Sequence, residues 1–189
     1  MLWARWFALC AVILACAQPT ATGPRKEEDM LDTGPPSSDF SQVKLGTFLQ
    51  SPCSPQFPDL REVGLRIRMP ESVTLSADGG GTVPLCLAAQ LTAGEMAGYR
   101  HVFEPSNVVL VDDERGETIT GSLWLDRTMA DPEPSELSPE EMRTIIVRKY
   151  YNVDLMERID LPARDATYQV YATLNAHKSN VLTLEVKVR

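Results

Sequence analysis

The chain has 189 residues, 43% hydrophobic and 23% charged, which are fractions typical of a globular protein and exclude wholesale disorder, collagen and a multispan membrane protein. Acidic residues outnumber basic ones by 26 to 18, and the net charge of −8 argues against a protein that binds the phosphate backbone of nucleic acids. The length allows one domain of ordinary size, and two His and four Cys are too few and too scattered for a rich metal site.

An export signal is predicted at the start of the sequence. Arg5 supplies a positive charge, and residues 7–15 form an apolar run too short to cross a hydrocarbon core about 30 Å thick. The run ends in Ile13-Leu14-Ala15-Cys16, which resembles the bacterial lipobox. The resemblance implies a lipoprotein signal peptide over residues 1–15, lipidation of Cys16 and attachment to a membrane through that lipid. Two alternatives stay open: ordinary cleavage after Ala17, and a segment that is not cleaved.

The residue after the lipobox bears on localisation. In the sorting pattern of enteric lipoproteins, Asp at this position signals retention in the inner membrane, and Ala17 stands there instead. The resemblance therefore implies the periplasmic side of the bacterial outer membrane. Residues 16–50 are rich in Pro, Gly, Ser and Thr at their start and are predicted to form a flexible tether. The folded domain is predicted over residues 51–189.

The cysteines predict one disulfide. Cys10 leaves with the signal peptide and Cys16 carries lipid, so Cys53 and Cys86 remain as a pair in an oxidising compartment. Alternation around Cys86 places it away from Leu85 and Leu87, so we expect the bond to fix the preceding segment outside the main core. A redox pair is the alternative, but the two residues lack the C-x-x-C spacing.

The body of the domain is predicted to be all-β. Apolar residues alternate with polar ones from Leu60 onward, in runs separated by Gly- and Asp-rich turns. One short helix is predicted from Ser138, with Pro139 at its first position and Glu141 closing a capping box. Together these patterns predict an antiparallel β-sandwich of seven to nine strands with one short helix.

Several segments resemble bacterial immunoglobulin-like modules. The closing strands are similar in LP at 161–162, ATYQVYA at 166–172 and SNV at 179–181. The segments VPLCLAAQL and VVLVDDERGETI are similar to strands B and C of such modules, including the intracellular proteinase inhibitor family. The resemblance covers residues 60–189 and implies an immunoglobulin-like sandwich, with Tyr168 as a tyrosine corner whose hydroxyl bonds to upstream backbone. It implies a fold and no activity.

Few residues suggest chemistry. Asp112, Asp113, Glu114 and Glu117 are interpreted as a solvated turn, with a weak Ca²⁺ site as the alternative, because their spacing is not that of an EF-hand. The two His are far apart in sequence and accompany no nucleophile-elbow Ser. We therefore expect no enzyme activity, no cofactor and no bound metal.

Trp124 is the residue most suggestive of binding. Alternation places it opposite Leu123, on a polar face, where it either serves as a contact hot spot or packs under a loop. The acidic residues Asp131, Glu133 and Glu136 form either a solvated loop or a negative patch for a basic partner. We expect a non-enzymatic binding or assembly module that engages another envelope protein, and no nucleic acid, through a face bearing Trp124 and Tyr150 together with these acids. The alternative is an envelope hydrolase or glycan-binding module that uses Trp124 and the acidic loops.

Overall fold

The computed structural model describes residues 40–99, 101–124 and 136–189, which build two β-sheets. The three-stranded sheet has the order β1-β3-β6, and the larger sheet has the order β2-β9-β7-β4-β5 with β8 paired to β7. The strands are β1 Gly64–Arg68, β2 Ser72–Leu75, β3 Pro84–Thr92, β4 Ser106–Asp112, β5 Thr118–Ser122, β6 Ile146–Asp154, β7 Ala166–Leu174, β8 His177–Lys178 and β9 Leu182–Val188. The prediction of an all-β sandwich is thus confirmed.

Strand alternation explains how the two sheets pack. β4 and β7 bury every second residue, and the inward side chains of both sheets meet in one continuous core. The smaller sheet contains β1, β3 and β6, and β9, β7 and β4 lie side by side in the larger one. Fully buried large side chains of this core include Ile67, Leu85, Phe103, Leu110, Tyr168 and Leu184.

The structure departs from the predicted fold in two details. β2 pairs with β9 in parallel, whereas the other pairs of named strands in the described residues are antiparallel. A short helix that was not predicted, α1 (Ala93–Ala97), accompanies the predicted helix α2 (Pro139–Thr144). Both begin with a complete capping box, Thr92 with Glu95 and Ser138 with Glu141. Within the described ranges, neither helix has the length and apolar character needed to cross a membrane.

The segment before β1 covers the outer face of the three-stranded sheet. Gly46 and Thr47 donate backbone hydrogen bonds to the carbonyl of Asn152 in β6, and Asn152 donates in return to the carbonyl of Thr47. The buried Asn152 amide also donates to the Leu49 carbonyl at 2.9 Å. Residues 40–50, which the sequence assigned to the tether, therefore lie against the sandwich.

A disulfide joins Cys53 to Cys86, as predicted, with a Cα–Cα distance of 6.0 Å. Both cysteines are fully buried and form a small cluster with Phe40 and Val43, separate from the main core. The expected placement outside that core is also confirmed. The bond fixes the covering segment to β3, at the centre of the three-stranded sheet.

Tyr168 differs from its predicted role. Its side chain is fully buried, but the hydroxyl makes no hydrogen bond to upstream backbone within the described residues, so the bond that defines a tyrosine corner is not formed. The loop before β7 is held instead by Arg164, which donates to Asp112 and to Glu117, at 2.9 Å in each case. The ion pairs of Arg164 therefore hold this loop, whereas the resemblance implies a hydrogen bond from the Tyr168 hydroxyl.

Candidate functional site

Five rings from four separate segments of the chain form an aromatic cluster: Phe48, His101, Phe103, Trp124 and Tyr151. The His101 imidazole stacks on Trp124 with ring centroids 4.5 Å apart, and Phe48 stacks on Tyr151 at 4.7 Å. Phe48 joins the two pairs, since its centroid is 4.2 Å from that of His101 and 5.8 Å from that of Trp124. The cluster therefore connects β6, an edge strand of one sheet, to the end of β5, an edge strand of the other.

Each ring is positioned by a local backbone feature. Phe48 follows Thr47, whose backbone forms a bridge to Asn152. His101 and Phe103 lie in the turn between α1 and β4, where the backbone N–H groups of Glu104 and Ser106 donate to the carbonyls of these two residues. Tyr151 points inward from β6 and is almost completely buried. The cluster thus rests on the core and reaches the surface at Phe48, His101 and Trp124.

Trp124 is neither fully exposed nor fully buried. β5 ends at Ser122, whose hydroxyl donates to the Trp124 carbonyl at 3.0 Å and accepts from the Trp124 N–H at 3.3 Å. Leu123 keeps the inward position that alternation predicted and is fully buried. Trp124 follows the local turn and packs its half-buried indole against His101 and the core. Strand alternation alone could not predict this, because Trp124 lies beyond the end of the strand.

His101 is held as a neutral imidazole. Burial is the main reason that its pKa lies below the ordinary value, and the charge of Lys149 lowers the pKa further while Glu104 acts in the opposite sense. The Nδ1 atom accepts the backbone N–H of Phe103 at 3.3 Å, which places the ring hydrogen on Nε2. The ring is therefore uncharged at neutral pH and packs against its aromatic neighbours.

Arg158 lies beneath the cluster. Its side chain is 1% exposed, and Nη2 donates to the Tyr151 hydroxyl at 3.0 Å. Glu157 is 3.7 Å from the same nitrogen, whereas Nε and Nη1 are buried without a hydrogen-bond partner among the described residues. Arg158 thereby fixes the phenol on which Phe48 stacks, at the cost of desolvating its own guanidinium.

Three rings of the cluster reach the surface together. We call Phe48, His101 and Trp124 the contact surface. Sequence reasoning found only Trp124 among them, because Phe48 lies in the predicted tether and His101 lies in a connection with no periodic pattern.

The other predicted binding residues are not brought into this surface. Tyr150 opposes Ala88 in the three-stranded sheet and points away from Tyr151, since neighbouring strand residues face opposite sides. The expected face shared by Trp124 and Tyr150 is therefore not formed. Glu136 is exposed just before α2. Asp131, Glu133 and the predicted lipidation site Cys16 lie outside the described residues.

The acidic turn after β4 is only partly solvated. Asp112 is 2% exposed, and one of its carboxylate oxygens accepts the backbone N–H groups of Glu114 and Arg115 while the other accepts from Arg164. These backbone bonds, chiefly that of Arg115, hold the pKa of Asp112 below its ordinary value. The interpretation of a solvated turn is thus wrong for Asp112, which is a structural residue. Among the described residues, no three His, Cys, Asp or Glu side chains converge to hold a metal ion.

Comparison of the sequence with protein families and with curated proteins gives no match. No protein-family model matches the chain, and no curated protein matches it significantly in sequence. Functional inference therefore rests on the contact surface and on the sequence signals alone.

Proposed function

We propose that this protein is a lipid-anchored, non-enzymatic binding module of the bacterial envelope that engages another envelope protein through the contact surface. The observation that carries the proposal is the contact surface itself. Phe48, His101 and Trp124 converge from three segments that are distant in sequence, and each of them is partly exposed. Aromatic side chains are enriched at the centre of protein–protein interfaces, where they act as anchors.

The membrane anchor is supported by the sequence. The apolar run of residues 7–15 and Ile13-Leu14-Ala15-Cys16 give the expected order of export signal and acylated cysteine. The acyl chains then anchor the module to the outer membrane, since each buried methylene contributes about 0.8 kcal/mol. Residues following Cys16 connect the lipid to the folded domain.

The anchor predicts a specific covalent change. The mature protein should partition into detergent and carry acyl mass on Cys16, and Cys16→Ser should abolish both. Mass spectrometry of the protein purified from envelopes measures this directly. An unmodified mature N-terminus at Gln18 would establish ordinary signal cleavage instead.

The contact surface is tested by photo-cross-linking in intact envelopes. A photoreactive residue at Phe48 should capture a discrete envelope protein, and Trp124→Ala should reduce the yield. Leu60 is a matched control, because it is 77% exposed and belongs to no part of the aromatic cluster. Equal capture from both positions would contradict the proposed surface.

The same surface allows a second ligand class. A half-buried indole beside other rings is able to stack on a sugar, so soluble cell-wall glycan fragments belong in the same assay as competitors. Loss of the Phe48 cross-link on addition of glycan would favour the glycan-binding alternative. A hydrolase that uses the acidic turn is not supported, because Asp112 is committed to Arg164 and to backbone N–H groups.

A further inference from the structure

His101 completes the contact surface in only one protonation state. Its ring contacts both Phe48 and Trp124, with centroid distances of 4.2 and 4.5 Å, and completes a triangle of rings in which the other two centroids are 5.8 Å apart. Its Nδ1 atom accepts the N–H of Phe103, and a ring nitrogen accepts a hydrogen bond only while it carries no proton. Protonation would place a second N–H against that of Phe103, so the imidazolium cannot keep this contact.

The surroundings of His101 favour the neutral ring. The strand β6 brings the positive charge of Lys149, and the residue's own segment brings Glu104, which partly offsets it. The segments that carry Phe48 and Trp124 place aromatic rings against the imidazole. Ring faces attract a cation, but protonation also leaves the N–H of the buried residue Phe103 without its acceptor, and this loss opposes the attraction.

We propose that the contact surface is a pH-sensitive switch, in which protonation of His101 at mildly acidic pH withdraws its ring from Phe48 and Trp124 and so weakens partner binding. This inference rests on the proposed function only for its last step, the weakened binding. The incoming proton binds Nδ1, and the released N–H of Phe103 turns to solvent. Trp124 then loses the ring on which it stacks, and the surface loses its fixed shape.

The switch has a defined direction and size. In the closed form His101 stacks on Trp124, and in the open form its ring has withdrawn. His101 binds a proton less tightly in the closed form than in the open form. Acid therefore favours the open form, and the transition lies below about pH 6.5. For one proton, the ratio of open to closed molecules rises at most about tenfold for each unit of pH within the window. Above this window the closed form, which binds the partner, predominates.

The test measures Trp124 in the absence of any partner. Trp3→Phe and Trp6→Phe leave Trp124 as the sole tryptophan of the full chain. Its quenching by acrylamide, an uncharged probe that the imidazolium does not attract or repel, should rise as the pH falls from about 8 to about 5. The proton resonances of His101, followed by NMR over the same range, should titrate with the same midpoint.

Two variants assign the effect. His101→Phe keeps a ring against Phe48 and Trp124 and removes the titration, so its quenching should not depend on pH. His177→Gln removes the other histidine, which pairs with Glu95 at 3.1 Å, and should leave the pH dependence unchanged. Flat quenching while His101 titrates, or a pH dependence that survives in His101→Phe, would overturn the switch. Either result leaves the cross-linking test of the proposed function unaffected.

Discussion

A single side-chain amide closes the outer edge of β1. Asn180 donates from Nδ2 to the Ile67 carbonyl at 3.1 Å and accepts the Ile67 N–H at 2.9 Å, which are the two bonds a neighbouring strand would supply. Ser179 supports the same turn, because its hydroxyl accepts the Ala172 N–H at 2.9 Å. The Ser-Asn-Val motif is therefore explained structurally, as a connection between the two sheets.

Asn180→Ala should be clearly destabilising. It leaves the N–H and carbonyl of Ile67 without their partners, and we expect a loss of about 1–3 kcal/mol in the free energy of unfolding. Asn180→Asp keeps the acceptor but sets a carboxylate against the Ile67 carbonyl, so it should not restore stability. Urea unfolding measures both variants. A loss below about 0.5 kcal/mol for Asn180→Ala, within the range of ordinary surface substitutions, would contradict this role.

Gly121 in β5 is required by a close approach of backbone. A Cβ at this position would collide with the Arg158 carbonyl oxygen and would lie 2.5 Å from Cγ2 of Ile159. Gly121→Ala should therefore displace the turn that carries Arg158 and cost about 1–3 kcal/mol, as overpacking usually does. Gly64→Ala is the matched strand control, because nothing lies within 4 Å of the point that its new methyl group would occupy, and it should be nearly neutral in thermal unfolding. Equal effects of the two substitutions would contradict the close approach.

The covering segment before β1 is an element without regular secondary structure. It is held to β6 by the bridge between Thr47 and Asn152 and to β3 by the disulfide of Cys53 and Cys86. Phe57 adds a third attachment, since the guanidinium groups of Arg66 and Arg148 each lie 5.4 Å from its ring centroid. Because Phe48 belongs to this segment, its attachment also determines the shape of the contact surface.

Reduction of the disulfide should loosen this segment before the core unfolds. The bond has a sequence separation of 33, and closing such a loop contributes roughly 3–4 kcal/mol in the chain-entropy model. Hydrogen exchange should show protection lost first at Gly46, Thr47 and Asn152, while the centre of β7 stays protected. A variant with Ser at both Cys10 and Cys16 should remain equally sensitive to reductant. Simultaneous loss of protection at β7 would show that the segment and the core unfold as one unit.

Strand alternation predicted the sheets well because it depends only on local burial. The runs that became β1, β3, β4, β5, β7 and β9 were all identified in this way. The helix α1 was missed although Thr92 and Glu95 have capping-box spacing, since Gly94 lies inside it. That glycine is explained by tertiary structure, because a Cβ there would approach the Met142 carbonyl of α2 at 3.0 Å. The contact surface was missed for a similar reason, since its residues meet only through contacts between distant segments.

At the scale of the molecule, two titratable side chains make the stability of the sandwich depend on pH. His101 has a lowered pKa because it is buried, and Asp112 has a lowered pKa because backbone N–H groups and Arg164 bind its carboxylate. Each group binds protons more tightly in the unfolded chain than in the folded one. Falling pH therefore reduces the stability of the fold in both cases.

The free energy of unfolding should thus decline in two steps as the pH falls. The first lies below about pH 6.5 and belongs to His101, and the second lies near and below about pH 3.8 and includes Asp112. Urea unfolding at a series of pH values measures both steps. His101→Phe should remove the first step and retain the second. A first step that persists in this variant would assign it to another group.

The parallel pairing of β2 with β9 sets the order in which the chain is able to fold. Ser72 pairs with Glu185, so β2 has no partner strand until the chain has been synthesised through β9. Contacts between such distant residues form late, because the loop between them must close first. The larger sheet consequently cannot be completed before β9 is available. Under the proposed export route this delay is useful, since a polypeptide whose larger sheet is still incomplete threads more readily through a narrow secretion channel.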